Sequence, residues 1–194
     1  MMQTECKDII DTFGDEINEC FHKGFQHFID LHIDELNEIS NRTRANYIND
    51  YVFAQLEETF EGKEGFTFIK EGVKRYIGFK NIFLIKVKKL NKSLKASFIK
   101  TQNATSFQCQ EELDIFPSAK HLYLGYILNK NGIGIQRVVF VCPNLEGYDW
   151  YMDVEPTEIK QEILAFPDTL EIVQTKERIR VKKQIPKKKE ISNG

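Results

Sequence analysis

Residues 121–142, HLYLGYILNKNGIGIQRVVFVC, decide the fold class. Two apolar runs, His121 to Leu128 and Ile133 to Cys142, flank Asn129-Lys130-Asn131-Gly132. An Asn-Gly pair between such runs supplies the left-handed backbone that a tight hairpin turn needs. The stretch therefore reads as two antiparallel strands, and the chain as a builder of sheet. Upstream, Phe66 to Ile69, Val73 to Phe79 and Asn81 to Leu90 also read as strands. In the last of these, Phe83, Ile85 and Val87 point to one face, while Ile82, Leu84, Lys86 and Lys88 point to the other. A short helix over Ala104 to Leu113, with Asn103 as its cap, precedes the hairpin. Downstream, Trp150 to Val154 adds a strand, and Pro156 fits the first turn of a helix through Phe166. Leu170 to Ile185 reads as a final strand or hairpin.

The first third has a different period. Ile10, Phe13, Ile17, Phe21, Phe28 and Leu31 recur at spacings of three, four and seven, the apolar stripe of a long amphipathic helix. Gly14 and Gly24 weaken that helix, and a break is expected near Lys23-Gly24. Ser40-Asn41 stops one helix and caps the next, which runs from about Thr43 to Phe60 with Ile48, Tyr51, Val52, Leu56 and Phe60 inward. Gly62 and Gly65 end it. Helices first and hairpin-linked strands afterwards predict an α+β fold, an N-terminal antiparallel helix pair packed on a mainly antiparallel β-sheet. One domain is expected over 1–185, with an acidic helical part at 1–64, a sheet part at 65–185, and a disordered basic tail at 186–194.

Charge follows the same division. Residues 1–64 carry 5 basic and 15 acidic side chains, residues 65–110 carry 10 and 1, residues 111–174 carry 4 and 11, and residues 175–194 carry 8 and 2. The net charge of −2 hides this segregation. Such asymmetry points to a polyanionic partner or to a subunit of opposite pattern. Nothing in the chain is long and apolar enough to cross a membrane, and the acidic start lacks the order of a signal peptide. Cys6, Cys20, Cys109 and Cys142 are scattered without a Cys-x-x-Cys pair, so they read as free structural thiols. A cytoplasmic protein is expected.

The common catalytic constellations are poorly matched. His22, His27 and His32 are spaced by five, which turns each about 140° from the last on a helix, so no metal site is expected from them. Asp149, Asp153 and Glu155 form an acidic trio that reads as a solvated rim, and no cofactor motif is present. There is no Gly-x-Ser-x-Gly elbow. A metal-independent ribonuclease would draw on Arg137, Lys86, His121 and Tyr126 to hold and protonate phosphodiester oxygens.

The basic middle is the better lead. Lysines from Lys70 to Lys100 fall on strands and their connections, with Tyr76, Phe79 and Phe98 interleaved. Cations and exposed rings on one sheet face can track a phosphate backbone and stack bases. Lysines also blunt edge strands against aggregation. The candidate contact residues are Lys74, Arg75, Lys86, Lys88, Lys89 and Arg137, and the expected partner is nucleic acid or an acidic protein. A toxin enzyme and a structural homo-oligomer whose helices form the interface are the alternatives.

Lys86-Val87-Lys88-Lys89-Leu90, then Thr101, Phe107-x-x-Gln110, Leu124-Gly125-Tyr126 and Val138 to Pro143 form an ordered series. This series resembles a family of uncharacterised bacterial proteins over about residues 40–155. The resemblance implies a mobile-element gene beside a helix-turn-helix regulator of the ImmA/IrrE type, an arrangement similar to toxin–antitoxin pairs, and the expected setting is a toxin–antitoxin or phage-defence system. It carries no catalytic residues over.

Overall fold

The computed structural model describes residues 2–155 apart from 98, 100 and 115. The expected helix after Pro156, the strands of 170–185 and the tail at 186–194 lie outside the described residues. Helix α1 spans Met2–His32, a 3-10 turn follows at Ile33–Glu35, and α2 spans Asn41–Phe60. Strands β1 Phe66–Glu71, β2 Lys74–Phe79 and β3 Phe83–Lys89 precede α3 Gln102–Gln108. Strands β4 Lys120–Leu128, β5 Ile135–Pro143 and β6 Tyr148–Asp153 complete the order. The six strands form one sheet in chain order. All neighbours are antiparallel except β3 and β4, which run parallel. The class is α+β, as expected. Parallel neighbours need a crossover, and the segment carrying α3 supplies it.

Local chemistry accounts for the boundaries. The Ser40 hydroxyl accepts from the Thr43 N–H at 3.1 Å and starts α2. Gly62 and Gly65 adopt φ of +82° and +91°, a backbone that sends the chain away from the helix into β1. Thr101, not Asn103, caps α3, since it is the extended residue whose hydroxyl accepts from Ala104 N–H at 3.2 Å. That helix stops at Gln108 instead of reaching Leu113, because Gln110 turns the chain at φ +59°. No break occurs at Lys23-Gly24. Helix α1 is continuous, and a Cβ on Gly24 would lie 2.7 Å from the backbone N and Cα of Val52. Gly24 is the point where α1 and α2 touch backbone to backbone.

Two apolar clusters sandwich the sheet. On the helix side, Ile17, Phe21 and Phe28 of α1 and Ile48, Val52 and Leu56 of α2 pack with Phe83, Ile85, Val87, Leu122, Leu124, Tyr126, Val138 and Phe140. On the other side, Tyr76, Leu84, Leu90, Tyr123, Ile127, Val139 and Val141 meet Leu94 and Phe107 of the crossover. The alternation expected along β3 therefore holds for Phe83 to Lys88. Ile82 departs from it: the residue lies in the turn before β3 and packs with the helix-side cluster.

Part of the charge segregation closes on itself. Lys70 Nζ is 2.6 Å from Glu57, Arg75 Nε is 2.8 Å from Asp50, and Lys63 Nζ is 2.8 Å from Glu16. Lys70 and Arg75 are cross-strand partners on the helix side of β1 and β2, so basic strands face acidic α2. The acidic front and the basic middle thus neutralise one another in part within the fold.

Candidate anion-binding face

Strand parity sorts the expected contact residues onto two faces, since cross-strand partners share a side of the sheet. Lys86 pairs with Tyr123 across β3 and β4, and both lie on the α3 side. Lys88, two residues on, lies there too. Lys74 shares that side and sits 3.7 Å from Glu71. Arg75 and Lys89 turn the other way, toward the helices. Arg75 is held by Asp50 and lies over the Phe53 ring. Lys89 pairs with Tyr126 of the helix-side core, and Arg44 lies close enough to push its pKa down after burial has done so. Arg137, on β5, grips the carboxylate of Asp153 with the Nε and Nη2 donors of one guanidinium edge, with Nη2 2.8 Å from Oδ2. The six residues do not form one patch. Lys86 and Lys88 are the pair that the fold brings together without an acid.

Their surroundings are aromatic. The Lys86 ammonium lies 4.5 Å from the ring centroids of both Tyr76 and Phe107. Phe107 stacks on His121 at 4.5 Å and on Tyr123 at 5.4 Å. Burial pushes Lys86 down to about 8, with the positive charges of Lys88 and Lys74 adding to the effect. Burial lowers Lys88 as well. Neither lysine has a hydrogen bond or ion pair to a described residue. Half-buried ammoniums without an acid are costly, because each has given up water without gaining a counter-charge.

His121 is buried, and its Nδ1 lies 3.0 Å from the Phe107 carbonyl oxygen. A carbonyl only accepts, so Nδ1 carries the proton and donates it. Nε2 is then a bare lone pair, sealed without a partner among the described residues. Burial lowers the pKa of His121 and keeps it neutral, outweighing the Phe107 bond that acts the other way. Gln110 locks this end of the sheet. Its oxygen accepts from His121 N–H at 2.8 Å, and its amide donates to the carbonyls of His121 at 3.0 Å and Pro143 at 2.9 Å. Gln110→Ala strands three backbone groups and is expected to cost about 2 kcal/mol in chemical denaturation. An unchanged midpoint would show that water replaces the amide without loss.

The residues behind the family resemblance hold the structure together. Thr101 caps α3, Phe107 stacks on His121 and Tyr123, and Gln110 is the clamp. A Cβ on Gly125 would sit 2.2 Å from Leu90 Cδ1, so the glycine makes room for that leucine.

The four groups considered for a ribonuclease do not converge. Tyr126 is buried on the helix side, its hydroxyl donating to the Ala45 carbonyl at 3.5 Å, and burial raises its pKa. Arg137 lies two strands from Lys86 and is occupied by Asp153. The acidic trio is dispersed as well, since Asp149 accepts from Asn144 at 2.8 Å. Among the described residues no group of three or more His, Cys, Asp or Glu is placed to hold a metal ion. Tyr76 and Phe79, read as exposed rings, are buried and offer no stacking platform; Phe98 lies outside the described residues. Tyr123 and His121 escape a reading for the basic face because only the parallel β3–β4 register sets them beside Lys86. Among the described residues no helix is long and apolar enough to cross a membrane. The chain matches no protein-family model, no curated protein and no solved structure in comparisons with each.

Proposed function

We propose that this chain is a non-enzymatic binding protein that engages an acidic protein partner through the α3-side face of β2, β3 and β4. Lys86 and Lys88 are its anchors, and the N-terminal antiparallel helix pair on the opposite face is its scaffold. The resemblance stated above supports a setting of the toxin–antitoxin or phage-defence kind, in which the partner is a second protein.

One observation carries the reading. Two half-buried lysines share a face with no carboxylate in ion-pair reach among the described residues, while Lys63, Lys70, Lys74, Arg75 and Arg137 each have one. A partner's carboxylates would supply the missing charge. Nucleic acid is disfavoured because base stacking needs exposed rings, and here the nearby rings are buried.

The test is a salt titration of the full chain against a Glu/Asp-rich peptide, single-stranded RNA, single-stranded DNA and duplex DNA. Peptide binding is expected, with a log–log salt slope of about −2 for two neutralised contacts. The double substitution Lys86→Glu with Lys88→Glu is expected to weaken it more than tenfold with the thermal midpoint kept. Undiminished peptide binding by that folded variant would overturn the reading. Binding of nucleic acid alone would transfer the partner to that class.

A further inference from the structure

We infer that Lys86 and Lys88, over the ring cluster of Tyr76, Phe107 and Tyr123, form a site for one oxyanion of the phosphate or carboxylate class. This deepens the proposed function, on which its biological meaning rests, by naming the chemical group that the face accepts.

The unfilled hydrogen-bonding capacity is mainly that of donors. Each ammonium has three donors and no acceptor. The hydroxyls of Tyr76 and Tyr123 can donate as well as accept, and neither has a hydrogen-bond partner among the described residues. The unpartnered acceptor nearby, His121 Nε2, is sealed from solvent. A lining with two ammoniums and two hydroxyls that can turn their protons inward suits an anion. The Tyr76 and Phe107 centroids are 6.2 Å apart, and the Lys86 ammonium is 4.5 Å from each. That leaves Lys86 fixed beside Lys88 at neighbouring same-face positions on one strand. The charge of Lys88 disfavours that of Lys86, and an anion beside them relieves this.

Occupancy is then linked to protons. An oxyanion beside Lys86 raises its pKa again, so binding above about pH 8 takes up a proton. The groups facing Lys86 are Lys88 from β3, Lys74 and Tyr76 from β2, and His121 and Tyr123 from β4. Helix α3 presents the Phe107 ring and has no titratable residue of its own between Gln102 and Gln108.

Lysine-selective NMR on the full chain, titrated with sulfate and separately with acetate, tests the site. Neither probe changes charge between pH 7 and pH 9, so pH dependence reports the protein. The expected result is saturable movement of the Lys86 and Lys88 signals, with affinity falling about tenfold from pH 7 to pH 9. In Lys86→Met the saturable movement of the remaining Lys88 signal should be lost, while the other lysine signals stay where they are in both proteins. Preference for sulfate assigns the site to phosphate-type groups, and preference for acetate assigns it to carboxylates. No saturable movement with either anion overturns the inference. Peptide binding that needs Lys86 and Lys88 but comes without saturable anion movement overturns the inference while leaving the proposed function standing. Anion binding without peptide binding does the reverse.

Discussion

Gly24→Val is expected to destabilise the fold, lowering the free energy of unfolding by about 3 kcal/mol. A Cβ at this position would stand 2.7 Å from Val52 N and Cα and 2.9 Å from Val52 Cγ2. The nearest atoms are backbone, so no side-chain rotation relieves the clash. Helices α1 and α2 would have to separate, loosening the layer in which Phe21, Phe25 and Phe28 meet Ile48, Val52 and Leu56. Overpacking of this kind costs about 1–3 kcal/mol for the strain, and the lost contacts add to it. A second glycine of the same helix supplies the control. A Cβ on Gly14 would meet Ile10 Cγ2 at 3.5 Å and Val154 Cγ1 at 3.7 Å, which is ordinary contact. Gly14→Ala should therefore gain about 0.5–1 kcal/mol from helix propensity, whereas Gly24→Ala should lose stability despite the same gain. Urea denaturation of the two alanine variants decides the matter. If Gly24→Ala proved as stable as the parent, the backbone contact between the helices would not exist.

Gly24 also shows where the sequence is legible and where it stops being so. A glycine inside an apolar stripe looks the same whether it breaks a helix or lets another helix approach. The choice depends on Val52, 28 positions away, and local pattern contains no such information. Features fixed by neighbours in the chain were readable. The Ser40 cap, the Gly62 and Gly65 exit and the hairpin between β4 and β5 depend on residues within a few positions of one another, although the hairpin loop runs on to Gly134 and leaves Ile133 exposed outside β5. Alternation along β3 likewise put Lys86 and Lys88 on one face. The parallel pairing of β3 with β4 was not readable, because both runs would suit an antiparallel partner equally well. Its consequences were hidden with it, including Tyr123 beside Lys86 and His121 beneath Phe107. The basic patch was overcounted for the same reason. Arg75 and Lys89 differ by one position from residues of the α3-side face, and one position in a strand reverses the face. Asp50 and Glu57, which neutralise Arg75 and Lys70, belong to a helix whose acids look like an independent surface until the two elements are docked.

Lys86→Met is expected to make the protein more stable at pH 7, by about 1–2 kcal/mol, while removing the proposed anchor. In the folded chain burial holds Lys86 at about 8, whereas the unfolded chain has the ordinary value of 10.5. Between those two values the unfolded state retains a proton that the native state has released. Stability therefore rises with pH across that window, and below about pH 8 the native state bears the full cost of an ammonium without a carboxylate. Methionine keeps the length and the contact with Tyr76 and Phe107 but discards the charge, so the variant should lose the rise between pH 8 and pH 10.5. Thermal and urea unfolding at pH 7, 9 and 10.5 measure both effects. Opposing these expectations is the attraction of the ammonium for the two rings, worth about 0.5–2 kcal/mol depending on desolvation. If Lys86→Met is destabilised at pH 7, that attraction exceeds the burial cost and Lys86 is explained by packing alone. If it is stabilised and anion binding is lost together, the fold carries at this position a cost that stability does not require. Such a residue is retained for what it binds.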